Sequence, residues 1–287
     1  GGKGALYVPK LRGGSRMSKK VKKIMVIDSQ WYLGADQVHL ITQLRKIFPE
    51  APIYFAVNTK ADYWQKVGEK LRSLWESRGV HLEETEKIEM DIIDKLASKH
   101  KAEKVVIGSN DSILLTTLTE HPTLRPIYLR ITYKRNRYEW HMPHPVFEEL
   151  REIGYTVIDI RLANRIEGSL ARILGLSFDA VLKLWDEKER FEESVQTARE
   201  KVLPKMDGEL TLQDFKGMCF KEGIAYPFES AYFLAYYGYI KLRNNRGNVI
   251  LLRNVNTSTE AEEQENLPKD ILSRIFHPFL RFFPKSK

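Results

Sequence analysis

Between Lys22 and Ile160, short apolar runs alternate with longer amphipathic segments, and this alternation restricts the fold more than any other feature of the chain. Apolar runs such as "KIMVI", "IYFAV" and "KVVIG" have the length and β-branched content of buried strands. The segments between them carry apolar residues at helical spacing, as in "VHLITQLRKI". This alternation predicts an α/β domain over residues 22–160, with a mostly parallel sheet and helices on both of its faces.

After residue 160 the periodicity becomes helical, which predicts a helical connector over residues 161–203. Part of this connector resembles a helix-turn-helix with Gly175 at the turn. The second helix carries the acidic residues Asp179 and Asp186, which a phosphate backbone would repel. This favours a structural helical hairpin over a DNA-binding helix-turn-helix. Two further helices and a hairpin with a basic tip predict a small winged-helix-like module over residues 204–255.

The two ends of the chain differ in composition from the rest. Met17 followed by "SKKVKK" resembles a natural start, so we expect residues 1–16 to be an added leader outside the fold. Residues 256–287 begin as an acidic linker and end as an apolar tail with basic residues. The tail predicts either docking to a protein partner or a membrane surface, or packing back onto its own chain.

The chain is basic, with 46 Lys and Arg residues against 38 Asp and Glu residues and a formal net charge of +8. This balance favours a polyanionic partner such as nucleic acid. The single cysteine, Cys219, cannot form an internal disulfide and favours an intracellular location, for which we expect the cytoplasm. The sequence contains no apolar run near the ~18 residues that a membrane-spanning helix requires, so we expect no transmembrane segment.

Acidic residues follow two of the predicted strands at the point where each strand ends. Asp28 closes the first strand, and Asp111 follows "KVVIG" within the polar turn "SNDS". Functional groups in a parallel sheet gather beyond the carboxyl ends of its strands, so the two acids meet if their strands are neighbours. The predicted helix "EMDIIDKL" offers Glu89, Asp91 and Asp94 as further carboxylates.

Several carboxylates around one point repel one another, and a divalent cation relieves that repulsion. An oxygen-only set of ligands suits Mg²⁺ or Mn²⁺ rather than zinc, and such an ion supports hydrolysis of a phosphodiester. The predicted metal ligands are Asp28, Asp91, Asp111, Asp94 and Glu89, of which the first three are the predicted catalytic residues. Each acid also has a simpler interpretation, since the strand-end acids could cap the following helices and the helical acids could form a solvated face.

The motifs "IMVIDSQ" and "VVIGSNDSILL", separated by "KIEMDIIDKL", resemble the NYN branch of the PIN-like ribonucleases over residues 22–160. In that family the first strand ends on an aspartate, matched by Asp28, and a helical acid precedes the later strand, matched by Asp91 or, in another register, Glu89. The later strand ends in a Ser-Gly-Asp-like turn, matched by residues 109–111. The resemblance implies a PIN-like fold and Mg²⁺- or Mn²⁺-dependent endonucleolytic cleavage of RNA, often with winged-helix or related RNA-binding appendages.

Two positions depart from the family pattern. Trp31 stands where the family has an asparagine shortly after the first aspartate, and Ile113 stands where it has a second acid beyond Asp111. Loss of that acid leaves its role to Asp94 or Ser112, or leaves a site without catalysis. A catalytically degenerate domain that binds RNA or DNA as a scaffold is therefore the alternative to a ribonuclease.

Two basic segments are candidate nucleic-acid contacts, with RNA expected rather than DNA. The first interleaves basic and aromatic residues in a predicted hairpin, a composition that can contact phosphates and stack unpaired bases. The second is the basic tip of the hairpin in the winged-helix-like module. The predicted contact residues are Arg130, Tyr133, Lys134, Arg135 and Arg137 in the first segment, and Arg243 and Arg246 in the second.

Overall fold

The structure is a computed structural model that describes residues 20–136 and 139–254. The predicted leader, the acidic linker with its tail, and Arg137 lie outside these ranges.

Strands and helices alternate through the first part of the described chain, and helices dominate the second part. Among the described residues, the strands are β1 Lys23–Asp28, β2 Ile53–Val57, β3 His81–Glu84, β4 Lys104–Gly108, β5 Arg125–Lys134, β6 Trp140–His141, β7 Val157–Leu162, β8 Glu209–Thr211, β9 Ile240–Asn245 and β10 Asn248–Arg253. The α-helices are α1 Gln37–Ile47, α2 Asp62–Glu76, α3 Met90–His100, α4 Ser112–Thr117, α5 Val146–Glu152, α6 Arg165–Leu174, α7 Phe178–Asp186, α8 Lys188–Thr197, α9 Leu212–Lys221 and α10 Pro227–Tyr236. A 3₁₀ turn, Ser29–Tyr32, follows β1.

The larger sheet has the order β3-β2-β1-β4-β5-β7 with parallel neighbours throughout, and β6 adds an antiparallel pairing to β5. Apolar side chains alternate between its faces, so that one core lies under α1 and α2 and another under α3, α4 and α5. The predicted α/β class with a mostly parallel sheet is confirmed. The chain moves outward from β1 to β3 and then returns to the other side of β1 with β4, so the strand order reverses between β1 and β4.

The second part of the chain is built around one further hydrophobic core. Helices α6 to α10 enclose it together with a small antiparallel sheet of order β8-β10-β9. Trp185 of α7, Phe215 of α9 and Phe233 of α10 all belong to this core. The predicted connector and the predicted C-terminal module therefore share one hydrophobic core. No helix in the described ranges is long and apolar enough to cross a membrane.

An ion pair and a ring stack join the two parts of the molecule. Asp36 caps α1 by accepting from His39 N at 2.8 Å, and its other oxygen forms an ion pair with Arg172 of α6 at 2.8 Å. The imidazole of His39 stacks on the ring of Phe178 at 4.1 Å between centroids. These contacts fix α6 and α7 against the amino end of α1.

Glu167 is an acid with no exposed surface at the start of α6. It forms a capping box with Asn164: its Oε2 accepts from Asn164 N at 3.0 Å, and Asn164 Oδ1 accepts from Glu167 N at 2.7 Å. Its second oxygen, Oε1, is buried without a hydrogen-bond partner among the described residues. Burial raises the pKa of Glu167 from 4.5 to about 7, against the opposing effects of the Asn164 backbone, Lys134 and Arg161.

We expect Glu167→Gln to change how stability depends on pH. A carboxyl group whose pKa is raised by folding stabilises the folded state below its unfolded pKa, and this contribution is lost as the pH rises through the folded value of about 7. The shift corresponds to a loss on the order of 3 kcal/mol between acid and alkaline pH. Glutamine keeps the cap without the charge, so the variant should gain stability relative to the parent protein as the pH rises.

The measurement is urea unfolding of the parent and the variant at about pH 5 and about pH 8, reading the difference in free energy of unfolding at each pH. Glu69→Gln, which replaces an exposed acid on α2, is the matched control and should show no pH-dependent difference. A Glu167→Gln difference that stays constant between the two pH values would contradict the burial of an ionisable carboxyl group at this position.

Candidate functional site

The carboxylate of Asp28 and the turn after β4 meet at the carboxyl edge of the sheet because β1 and β4 are parallel neighbours. Ile27 pairs with Gly108, so the residues that follow, Asp28 and Ser109, come to lie side by side. Ser109 Oγ donates to Asp28 Oδ2 at 3.2 Å and accepts from Asp111 N at 3.1 Å. The buried hydroxyl of Ser109 thus links the carboxylate of Asp28 to the backbone N–H of Asp111.

Asp28 is a carboxylate whose surroundings disfavour its charge. Burial raises the pKa of Asp28 to about 6, and the charge of Asp111 adds to this rise. The hydrogen bonds from Ser109 and from Trp31 Nε1, which donates to Asp28 Oδ2 at 3.1 Å, act in the opposite direction without cancelling it. A cation placed beside Asp28 and Asp111 would therefore relieve an electrostatic cost that the protein carries without it.

The capping interpretation holds for one aspartate and not for the other. Asp111 is the N-cap of α4, and its Oδ1 accepts from Ile113 N at 3.0 Å and from Leu114 N at 3.4 Å. Asp28 precedes a 3₁₀ turn and makes no side-chain cap hydrogen bond to it. The cap accounts for the position of Asp111, whereas a structural cap does not account for Asp28.

The three candidate acids at the start of α3 are exposed. They take no part in the hydrogen bonds that connect Asp28, Ser109 and Asp111. Asp91 Oδ1 accepts from the adjacent Ile92 N at 2.9 Å, and Asp94 Oδ1 contacts His121 Nε2 at 2.6 Å. Glu89 is the N-cap residue of α3 but makes no side-chain cap hydrogen bond. Within residues 20–136 and 139–254, no group of three or more His, Cys, Asp or Glu side chains is arranged to hold a metal ion. The structure therefore brings together Asp28 and Asp111, while metal binding by the α3 acids remains a prediction.

Other polar residues near Asp28 also follow strand ends. A small cleft beside Asp28 is lined by Asn58, which follows β2, and by Lys87, which lies beyond β3. On the other side, Asn110 Oδ1 accepts from His144 N at 2.6 Å and fixes the segment before α5 against the β4–α4 turn. Sequence reasoning missed Asn58 and Lys87, although their positions after parallel strands are the same signal that identified Asp28 and Asp111.

The predicted basic-aromatic segment is only partly at the surface. Tyr133 has no exposed surface and its ring stacks on His141 at 4.9 Å, so the prediction that it contacts RNA is not supported in this structure. Lys134 is also buried, with its ammonium 4.3 Å from the ring centroid of Trp185 and 5.3 Å from that of Trp140. The Tyr133 hydroxyl also donates to the Trp31 carbonyl at 3.0 Å, and Trp185 lies in α7, so both residues contact elements that are distant in sequence and that local alternation could not place.

The predicted arginines keep more contact with solvent, although most of them have acidic partners. Arg130 lies 3.4 Å from Asp159, and Arg135 lies 3.6 Å from Glu139. Arg243 pairs with Glu209. Arg246 is exposed at the turn between β9 and β10, where its backbone φ is 51°. Among the predicted phosphate contacts that the structure describes, Arg243 and Arg246 of this hairpin are exposed, whereas Arg130 and Arg135 are half-buried.

Asp28 and Asp111 flank the position where the strand order reverses, between β1 and β4, and ligands of open α/β sheets bind at this position. No known protein-family model matches this chain, and no curated protein sequence matches it significantly. The polar groups that meet at the site are two carboxylates, the Ser109 hydroxyl and the Trp31 indole N–H, which donates to Asp28. The oxygen atoms of the carboxylates and of the hydroxyl are ligands of the type that a hard divalent cation such as Mg²⁺ or Mn²⁺ prefers.

Proposed function

We propose that the protein is a Mg²⁺- or Mn²⁺-dependent endoribonuclease with a PIN-like α/β domain, and that Asp28 and Asp111 hold the ion. The observation that carries this proposal is the hydrogen-bonded link from the Asp28 carboxylate through Ser109 to the Asp111 backbone, at the carboxyl edge of the sheet where the charge of Asp111 acts on Asp28. The NYN-like motifs coincide with these elements, which supports the same function. The net charge of +8 favours a polyanionic substrate such as RNA.

The residues present fit such an ion. Mg²⁺ is commonly held by one or two protein carboxylates while water and substrate phosphate complete its coordination, so a third protein carboxylate is not required. The pKa of Asp28, raised to about 6 by burial, indicates a carboxylate that a bound cation would stabilise in its charged form. A bound ion would supply an activated water and charge stabilisation for phosphodiester hydrolysis. Ser109 would orient Asp28, and Asp111 would bind while its Oδ1 caps α4.

The C-terminal part is proposed to be a winged-helix-like RNA-binding unit. Its elements follow the order β8, α9, α10, β9 and β10, with β9 and β10 forming an antiparallel hairpin. Arg246 lies at the exposed tip of that hairpin, where a basic residue can reach a phosphate backbone. Substrate would then contact both the carboxylate edge and the hairpin tip.

A second candidate is a non-catalytic RNA-binding scaffold. Ile113 is 68% exposed at the position where the family pattern has another acid, so the structure has an apolar surface there. The two hydrogen bonds to Asp28 Oδ2 and the capping of α4 by Asp111 also give both carboxylates structural contacts. These contacts are compatible with a site that has lost its chemistry and kept its fold.

Incubation of the purified protein with end-labelled RNA in Mn²⁺, in Mg²⁺ and in chelator distinguishes the two candidates. The proposed ribonuclease gives discrete cleavage products with a divalent ion and none in chelator, and it leaves DNA of the same sequence intact. RNA binding without cleavage in either ion would favour the scaffold. Absence of both binding and cleavage would contradict both candidates.

A further inference from the structure

Trp31 is held directly beside the carboxylate of Asp28. Its indole Nε1 donates to Asp28 Oδ2 at 3.1 Å, and its backbone carbonyl accepts from the Tyr133 hydroxyl at 3.0 Å. The side chain packs against the core under α1 and α2 and remains partly exposed. Trp31 is therefore fixed in position beside Asp28 at the carboxyl edge of the sheet, and the residue as a whole is only partly buried.

Among the described residues, four other aromatic rings of the α/β domain are less available to a ligand. Tyr32, Tyr63 and Tyr133 are each at most 3% exposed. Trp140 is covered by cationic groups, with the guanidinium of Arg161 at 4.5 Å and the ammonium of Lys134 at 5.3 Å from the ring centroid. Trp31 thus combines partial exposure with a direct hydrogen bond to a proposed metal ligand.

Tryptophan is well suited to a site that binds unpaired nucleic acid. Its large flat ring can stack on any nucleobase, because every base has a π-face, and its N–H can donate a hydrogen bond at the same time. In Trp31 the N–H is already directed at Asp28, which sets the orientation of the ring next to the carboxylate. A base stacked on this ring would place its own phosphate close to Asp28 and Asp111.

We propose that Trp31 is a substrate-binding residue that stacks on an unpaired nucleobase of RNA beside the phosphodiester to be cleaved. This proposal rests on the proposed function of the Asp28–Asp111 site, and it assigns a role to a residue that departs from the family pattern. Trp31 has a second, positioning role, because its indole N–H holds Asp28 through Oδ2.

The test compares RNA affinities in chelator, where cleavage cannot complicate the measurement. Fluorescence anisotropy is measured with unpaired RNA and with a fully paired RNA duplex for the parent, Trp31→Leu and Trp31→Phe. Tyr155→Leu is the matched control, since Tyr155 is a partly exposed aromatic residue before the amino end of β7, at the opposite edge of the sheet. Thermal unfolding of each variant checks that it is folded.

Loss of a stacking ring weakens binding by roughly tenfold for each base, so Trp31→Leu should lose about that factor for unpaired RNA. Its affinity for the duplex should stay unchanged, because paired bases are already stacked on one another. Trp31→Phe keeps a ring and should retain most of the affinity, although it lacks the N–H that holds Asp28. The control should bind both RNAs as the parent does.

Equal affinity of Trp31→Leu and parent for unpaired RNA would overturn the stacking role, as would equal losses for both RNAs or equal losses for the Leu and Phe variants. Each of these outcomes leaves the proposed ribonuclease intact if the parent cleaves RNA with Mn²⁺. If the parent binds RNA without cutting it, the proposed catalytic activity is wrong. The affinities of the variants then still decide whether Trp31 stacks on RNA. A parent that binds no RNA would overturn both proposals.

Discussion

Replacing Asp28 or Asp111 with asparagine should lower the rate of RNA cleavage by roughly a hundredfold or more. A divalent ion contributes several kcal/mol of charge stabilisation in phosphodiester hydrolysis, and each ~1.4 kcal/mol corresponds to a tenfold change in rate. Asparagine keeps the size of the side chain and an oxygen that can accept from Ser109 or Trp31. It is also a competent N-cap, so α4 should be retained in the Asp111 variant. We therefore expect the substitutions to lower the rate of cleavage and to leave the fold intact.

The measurement is the initial rate of cleavage of labelled RNA with Mn²⁺ at equal protein concentrations. Asp62→Asn is the matched control, because Asp62 is an exposed acid in the first turn of α2, and its rate should equal that of the parent. Asp91→Asn decides whether α3 contributes a ligand, since a loss as large as that of Asp28→Asn would add Asp91 to the site. Parental rates in both strand-end variants would show that the carboxylate pair does not act on RNA.

Gly168→Ala should destabilise the protein by about 3 kcal/mol, although alanine normally favours a helix over glycine by about 1 kcal/mol. A methyl group at Gly168 would lie 2.2 Å from Asp36 Oδ2 and 2.6 Å from its Cγ. Asp36 cannot move away freely, because it is 2% exposed, caps α1 and forms an ion pair with Arg172. The added methyl group must therefore disturb the cap, the ion pair or the packing of α6 on α1.

Urea unfolding of Gly168→Ala and Gly217→Ala measures the change in the free energy of unfolding, which should have opposite signs in the two variants. Gly217 also lies within a helix, α9, and an added methyl group there meets no atom within 4 Å. Its alanine variant should be more stable than the parent by about 0.5–1 kcal/mol. Stabilisation of similar size by both substitutions would contradict the close contact between α6 and Asp36.

The sheet and the carboxylate pair could be predicted from the sequence because both depend on local patterns. Apolar runs followed by amphipathic segments define β1 and β4, and the parallel topology places the residues after them at one edge. The choice between a cap and a metal ligand could not be made for Asp111, since both functions use the same residue type at the same place. The structure shows that Asp111 caps α4, which leaves its other oxygen and its proximity to Asp28 as the basis for metal binding.

Features that depend on contacts distant in sequence were not predictable. The end of β5 alternates like a half-exposed strand, yet Tyr133 is buried with its hydroxyl bonded to the Trp31 carbonyl, and Lys134 is covered by Trp185. The second part of the chain has turns that suggest separate units, but Trp185 of α7 and Phe233 of α10 belong to one core. In each case the partner residue comes from another element, and local periodicity contains no information about it.

Binding of Mn²⁺ to the parent and to Asp28→Asn tests the proposed site most directly, because it requires no substrate. An ion that binds only the folded state stabilises it by about 2.7 kcal/mol when its concentration is a hundred times the dissociation constant. The melting temperature of the parent should therefore rise steadily with added Mn²⁺, and that of Asp28→Asn should rise much less. In chelator the variant should be at least as stable as the parent, since it no longer buries a carboxyl group whose pKa is raised to about 6. Equal increases in melting temperature for the two proteins would contradict a metal site at Asp28.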